Sequence, residues 1–268
     1  MPRQPISIVD LYSPELPFAT EFRRLLHKVQ NTNAKTELKT IMFTSAMLAE
    51  GKSTVCSFLA LTAAQLKGMK TLVLDADLRR PAIHKFFALP REPGFSDILV
   101  EGFSPKETVK KTGSGNLDII AAGREVSRPS AVFDAEAIGQ LLDDMKYYYD
   151  LILIDSAPLL PVSDPMLLAS KIDCIILVVK AGATQSEIVR RAVEVLGPQR
   201  SKIIGVVLNN MDNTLPYYYD YSHYGYTYGE QPQKPGKGSA RKNKEHPPAG
   251  AAPPTKKDST DDRLVRPS

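Results

Sequence analysis

A doubly wound α/β fold, with a mostly parallel sheet covered by helices on both faces, is what this sequence predicts. Three observations carry it. Between residues 38 and 210, short β-branched or aliphatic runs alternate with helical patterns. The runs are apolar throughout rather than at every second residue, as parallel strands buried on both faces require. The first run also leads through a short loop into an almost wholly apolar helix, the kind of junction at which such sheets take up ligands.

In chain order the strands are LKTIMFTSA (38–46), TLVLDAD (71–77), LDIIAAG (117–123), LILIDS (151–156), CIILVVKAG (174–182) and KIIGVVLNN (202–210). Lys52 to Lys67 is apolar nearly all round and is expected to be a buried helix, with Gly68 suited to its end. Residues 187–196 form an amphipathic helix, opened by a Thr184/Glu187 capping box and closed by Gly197-Pro198. Tyr147 to Tyr149 lie at a helix–strand junction, where packing is their expected role. Residues 20–30 read as a surface amphipathic helix, and no internal repeat is visible.

The 268 residues are 43% hydrophobic, enough for a real core, and contain no apolar run of 18 or more residues, so no membrane-spanning helix is expected. The N-terminus lacks a basic region followed by an apolar stretch, so no secretory signal is expected either. Cys56 and Cys174 sit inside apolar runs and read as core residues, which points to a reducing cytoplasm. The net charge of +4 belongs to residues 230–268, which hold nine Lys/Arg against five Asp/Glu and seven prolines. The rest of the chain balances, so no nucleic-acid-binding face is expected. The tail composition predicts disorder. Three regions follow: a catalytic domain over 1–212, a segment over 213–229, and the basic, proline-rich tail over 230–268.

The chemistry starts after the first strand, at TSAMLAEGKST (44–54). A helix that opens on Gly-Lys-Ser-Thr presents backbone N–H groups and its positive end to phosphate oxygens. The candidate binding set is Ala49, Glu50, Gly51, Lys52, Ser53 and Thr54. Lys52 reaches the β/γ-phosphates and Ser53 ligates Mg²⁺. The full G-x-x-x-x-G-K-[ST] pattern is not met, because Ala46 stands where its first glycine would be. Two strand ends add carboxylates. Asp75 and Asp77 are spaced i, i+2 and so point to one face. Asp155 follows four aliphatics in LILIDS, the Walker B form that supports the metal.

The segment PYYYDYSHYGYTYG carries Tyr217, Tyr218, Tyr219, Tyr221, Tyr224, Tyr226 and Tyr228, seven of the chain's 11 tyrosines. Together with the AEGKST loop, LVLDADLRRP, LILIDSAP and GVVLNN, this segment makes the chain resemble the bacterial tyrosine kinases, which are built on a P-loop NTPase fold. The similarity runs from about Pro17 to Tyr228.

The resemblance implies an ATP- and Mg²⁺-dependent enzyme that phosphorylates its own C-terminal cluster in trans. Lys52, Ser53 and Thr54 would bind the phosphates and metal, with Asp77 and Asp155 in the metal's coordination sphere. Asp75 would take the proton of the attacking tyrosine, Asn209 would contact adenine, and Arg79 and Arg80 would help hold tyrosine or phosphate. The family's oligomerisation motif, Glu-x-x-Arg-x-x-Arg, corresponds to Glu21, Arg24 and His27, so a ring-like homo-oligomer is implied. His27 in the last arginine position makes that contact weaker or pH-sensitive. A second departure is Ala49, where the family usually has glycine. This narrows the conformations open to the loop.

The family's setting is capsule or exopolysaccharide synthesis, chain length and export. Its stand-alone members act with a separate membrane protein, an activator and polysaccharide co-polymerase, at the inner face of the membrane. Two alternatives share the fold. One is a non-kinase ATPase switch of the partition or division-site type, which would carry a lysine between Ser45 and Gly51 that this chain lacks. The other is a weakly active scaffold whose tyrosines serve another kinase.

Overall fold

The structure is a computed structural model that describes residues 7–32 and 38–209. The tyrosine cluster and the tail lie outside the described residues. In chain order the elements are α1 (Ile8–Leu11), α2 (Pro17–Asn31), β1 (Thr40–Ser45), α3 (Lys52–Lys67), β2 (Thr71–Asp75), α4 (Ile83–Phe86), α5 (Phe95–Glu101) and α6 (Pro105–Thr108). They continue with β3 (Val109–Lys111), β4 (Leu117–Ile120), α7 (Pro129–Val132), α8 (Ala135–Met145), β5 (Leu151–Asp155), α9 (Asp164–Lys171), β6 (Cys174–Lys180) and α10 (Ser186–Val195). A 3₁₀ turn over Gly197–Lys202 then leads into β7 (Ile203–Asn209).

The seven strands are ordered β3-β4-β2-β5-β1-β6-β7, and all neighbours are parallel except β3, which runs antiparallel to β4. Strand order reverses at β1: the chain first builds outward through β2 and β4, then returns to add β6 and β7 on the other side. A crevice therefore opens beyond the carboxyl end of β1, where the loop into α3 begins.

Successive residues of the central strands divide between two cores. Ile41 and Phe43 of β1, with Val73 and Leu153, pack against α2 and α3. Met42, with Leu72, Leu74, Ile152 and Ile154, packs against α8, α9 and α10. Each strand thus buries both sets of side chains, the physical reason for its uninterrupted apolar run. On the first face Phe18 and Phe22 of α2 stack around Phe58 of α3. The Tyr12 hydroxyl bonds Thr62 Oγ1 at 2.9 Å. α3 is buried along most of its length and stops at Gly68, whose φ of +64° is the left-handed conformation of a glycine stop.

Four expectations need correction. β2 ends at Asp75, so Asp77 lies beyond the strand. The two carboxylates converge through the turn that follows, not through strand periodicity. β7 is not covered on both faces: Val206 and Leu208, two residues apart and so on one face, are 51% and 53% exposed, although β7 pairs with β6 along its length. Thr184 caps nothing. The N-cap of α10 is Gln185, with no side-chain cap bond, and Glu187 pairs with Arg190 instead. The Thr184 hydroxyl is taken by a buried carboxylate, Glu50. Of the three consecutive tyrosines only Tyr149 packs, while Tyr147 is 87% and Tyr148 56% exposed.

Candidate active site

β1, β5 and β2 lie side by side, and their carboxyl ends deliver Ser45, Asp155 and Asp75 to one crevice, with Asp75 and Asp155 directly paired in register. α3 begins at the same place and adds Lys52 and Ser53 from its first turn. Lys52 Nζ lies 2.9 Å from Asp77 Oδ2 and 3.4 Å from Asp155 Oδ1. Ser53 Oγ donates to Asp155 Oδ2 at 2.5 Å. Asp77 Oδ1 accepts from the Arg80 backbone N–H at 3.0 Å. Asp75 Oδ2 accepts from the backbone N–H groups of Ala82 and Ile83 at 3.2 and 3.1 Å, and its Oδ1 from that of Asp77 at 3.3 Å.

This is a buried cluster of one ammonium, three carboxyls and a hydroxyl. Its electrostatics follow from that. Burial pushes the Asp75 carboxyl well up, and the Asp155 charge beside it adds to the effect. Burial also raises Asp155, although Lys52 and the Ser53 hydroxyl pull it back. Burial alone would pull the Lys52 ammonium down, but the charges of Asp155 and Asp77 outweigh it and leave the group raised. Lys52 therefore stays charged and holds the carboxylates together.

The loop itself is braced by a residue whose role the sequence did not expose. Glu50 is buried: its Oε2 accepts from the Met47 N–H at 2.6 Å, and its Oε1 from the Lys180 N–H and the Thr184 hydroxyl. The side chain of Glu50 is thus structural, and only its backbone remains to meet a ligand. Asn209, at the end of β7, donates from Nδ2 to the Glu50 carbonyl at 2.9 Å. A Cβ on Gly51 (φ +88°) would lie 2.0 Å from that same nitrogen, so only glycine fits there. Ala49 has φ of +61°, a left-handed conformation that strains an L-residue with a side chain.

Arg79 turns away from the carboxylates. Its Nε lies 3.0 Å from Asp164 Oδ2, and Ser130 Oγ bridges the two, accepting from the guanidinium and donating to Asp164 Oδ1. Arg80 is exposed. Glu21 and Arg24 form an ion pair of 2.8 Å within α2, and the ring of exposed His27 lies against the Asn31 amide one turn on. Spaced three apart, these residues share one face of α2, with Arg24 and His27 exposed.

The donors suit a magnesium nucleotide. The hydroxyl and carboxylates of Ser53, Asp77 and Asp155 are hard oxygen ligands. Among the described residues, however, no group of three or more His, Cys, Asp or Glu could hold a metal by itself. A cation here would need oxygens from elsewhere, as Mg²⁺ takes them from phosphates. The glycine-bearing loop and the amino end of a 16-residue helix supply the N–H groups that phosphates require.

Comparison with known proteins agrees. The ParA family, described as NUBPL iron-transfer P-loop NTPase, matches residues 38–231. The putative tyrosine-protein kinase CapB of Staphylococcus aureus is 31% identical over 226 residues, covering 82% of this chain and 99% of that protein. The succinoglycan biosynthesis transport protein ExoP of Rhizobium meliloti is 30% identical, covering 86% of this chain and 30% of that longer protein. Among solved structures, the kinase domain of the Escherichia coli tyrosine kinase ETK superposes with a TM-score of 0.74 at 27% identity, covering 86% of this chain and 87% of that one.

Proposed function

Since this chain belongs to the bacterial tyrosine-protein kinases, a branch of the ParA-like P-loop NTPases, we propose that it phosphorylates its own tyrosine cluster on a neighbouring copy. The acceptors are Tyr217, Tyr218, Tyr219, Tyr221, Tyr224, Tyr226 and Tyr228. The observation that carries the reading is the convergence of Lys52, Ser53, Asp77 and Asp155 at the switch point of the sheet, in a chain with so dense a set of phenols.

Bound Mg-ATP would supply the phosphoryl group and the cation that offsets its charge. The backbone from Ala49 to Thr54 and the Lys52 ammonium bind the phosphates, while Ser53, Asp77 and Asp155 provide the metal's protein ligands. Lys52 must then exchange its carboxylate partners for phosphate oxygens. Asn209 meets the adenine while keeping its hold on the loop.

A phenol has a pKa near 10 and attacks poorly until a base receives its proton. Asp75 is that base: its proton affinity is raised by burial and Asp155. Of its two oxygens, Oδ1 has only the long 3.3 Å bond from Asp77 and is the one left for the phenol proton.

Glu21, Arg24 and His27 form the contact between subunits of a ring, with the α2 ion pair exchanging into the interface. Each phosphate adds about −1.5 to −2 charge to a tyrosine, so accumulated phosphorylation drives neighbouring copies apart. The chain works in capsule or exopolysaccharide production. It is activated by a membrane protein partner that holds it at the inner membrane face, a reading supported by relatives such as the succinoglycan biosynthesis transport protein ExoP.

Purified chain incubated with Mg-ATP and probed for phosphotyrosine tests the activity. Signal is expected in the wild type, and none in a variant with all seven cluster tyrosines replaced by Phe. ATP hydrolysis without phosphotyrosine, with the membrane partner supplied, would refute the kinase reading. Sizing chromatography that shows the same oligomer before and after full phosphorylation would refute the ring-opening part.

A further inference from the structure

At the opposite end of the sheet lies a cleft of about 740 Å³, between α8 with the turn after it and α6 with β3. It opens at the amino ends of β2 and β5, whereas the phosphate site is at their carboxyl ends. Five residues of strand, roughly 17 Å at 3.3–3.4 Å each, separate the two.

The cleft has a polar floor. Asp118 of β4 is buried, and its Oδ2 is satisfied twice, by the Tyr149 hydroxyl at 2.8 Å and by Lys111 Nζ at 2.7 Å. Its Oδ1 is buried with no hydrogen-bond partner. Such an orphaned acceptor is uncommon in a folded protein; sealed as it stands, it meets a donor from the cleft only once the side chains over it move aside. The Lys111 ammonium already neutralises this carboxylate, so the missing partner is a neutral N–H or O–H rather than a cation.

The rim has a different character. The rings of Tyr147 and Tyr148 are exposed beside the opening, and both phenols continue a helix end that buries only Tyr149. Lys70 and Lys106 also line the cleft, and among the described residues neither ammonium forms an ion pair. Flat π faces, one buried acceptor and unpaired ammonium groups are what a nucleotide engages: the first stack on a base, the second accepts its edge N–H, the last meet its phosphates. The volume falls in the range of small-ligand sites.

We infer that this cleft is a second nucleotide site, separate from the phosphate-binding loop, for a nucleoside diphosphate that is free or carries a sugar. Its base stacks on Tyr147 and Tyr148 and donates to Asp118 Oδ1, and its diphosphate lies between Lys70 and Lys106. It rests on the geometry of this end of the sheet and stands whether or not the crevice at the other end transfers phosphate to tyrosine.

Calorimetric titration of the full-length Lys52→Met variant with ADP, GDP, UDP and UDP-glucose tests it, since that substitution weakens the phosphate loop. One saturable event is expected for at least one of the four, and the preferred probe identifies the base and whether the sugar contributes. Affinity should fall by about tenfold or more in Lys70→Glu/Lys106→Glu, both surface changes, and several-fold in Tyr148→Ala. Titration of the otherwise wild-type chain with the preferred diphosphate gives a check independent of Lys52→Met folding. A binding event should disappear in the Lys70→Glu/Lys106→Glu background. The inference is overturned if none of the four binds at millimolar concentration or if affinity is unchanged in the cleft variants. Equal binding of inorganic phosphate or a phosphotyrosine peptide would also overturn it and would make the lysines a simple anion or partner surface.

Discussion

The two ends of the sheet use the same residue types for different work. At the amino ends, Asp173 accepts from the backbone N–H groups of Lys39 and Thr40 at 2.9 and 2.8 Å, and Asp150 from that of Lys70 at 2.8 Å. Lys146 lies 3.8 Å from Asp173, half-buried like its partner. These carboxylates close backbone bonds at strand starts and remain near water. At the carboxyl ends, Asp75, Asp77 and Asp155 are sealed from solvent around one ammonium, and two of them are pushed up in pKa. Three carboxyls around a single lysine is a poor way to stabilise a protein, because desolvating charge offsets the attraction between partners. It suits the proposed role of these side chains, to hold cation and phosphate ligands poised in one place.

The sharpest test of that contrast substitutes one lysine at each end. Lys52→Met should reduce phosphotyrosine formation by about 10²-fold or more, as loss of a preorganised charge donor does. Lys146→Met should leave activity alone and change stability by no more than about 1 kcal/mol, the scale of a solvated pair. Equal losses of activity would end the distinction.

A pH series comes next. Asp75 and Asp155 hold their protons to higher pH in the folded chain than the ordinary carboxyl pKa near 3.9 of the unfolded chain. The folded state therefore binds more protons through this window. Stability should fall as pH rises from about 4 through the raised values, and level off above them. In Asp75→Asn one of these groups is gone, and urea midpoints measured across that range should decline less steeply. A steeper decline would contradict the assignment of the buried charge.

Smaller effects concern the loop. Thr184→Val removes a hydroxyl donor from buried Glu50 and should lower stability by about 1–3 kcal/mol, read from denaturant midpoints. Were Thr184 only a helix cap, hydrogen exchange would change in α10 alone; the structure instead predicts faster exchange at Met47 and Lys180. Smallest of all, Ala49→Gly should gain about 0.5–1 kcal/mol by relieving the left-handed alanine, with no loss of nucleotide binding.

What could be read from residues alone follows the same physics. The central strands and α3 were legible because burial on both sides leaves an uninterrupted apolar record. Lys52 and Asp155 were legible because a strand–loop–helix junction needs particular residues at fixed places. β3 was not: three residues, Val109–Lys111, include two lysines, and only pairing with β4 makes them a strand. Thr184 with Glu187 matched a capping box, yet a buried carboxylate from 134 residues away outcompetes the local backbone for the hydroxyl. The exposure of Tyr147 and Tyr148, and the unpaired oxygen of Asp118 beside them, depend on how α8 ends above β4, which periodicity does not encode.

Transfer from one copy's crevice to another copy's tyrosines can be isolated by a mixing experiment. A Lys52→Met chain with its seven tyrosines intact serves only as acceptor, and a chain with active crevice and all seven changed to Phe serves only as enzyme. Each alone with Mg-ATP should give no cluster phosphotyrosine. Mixed, in the presence of the membrane partner, they should give phosphotyrosine on the Lys52→Met chain alone. A mixture that stays unphosphorylated while the wild type labels itself would contradict transfer between copies.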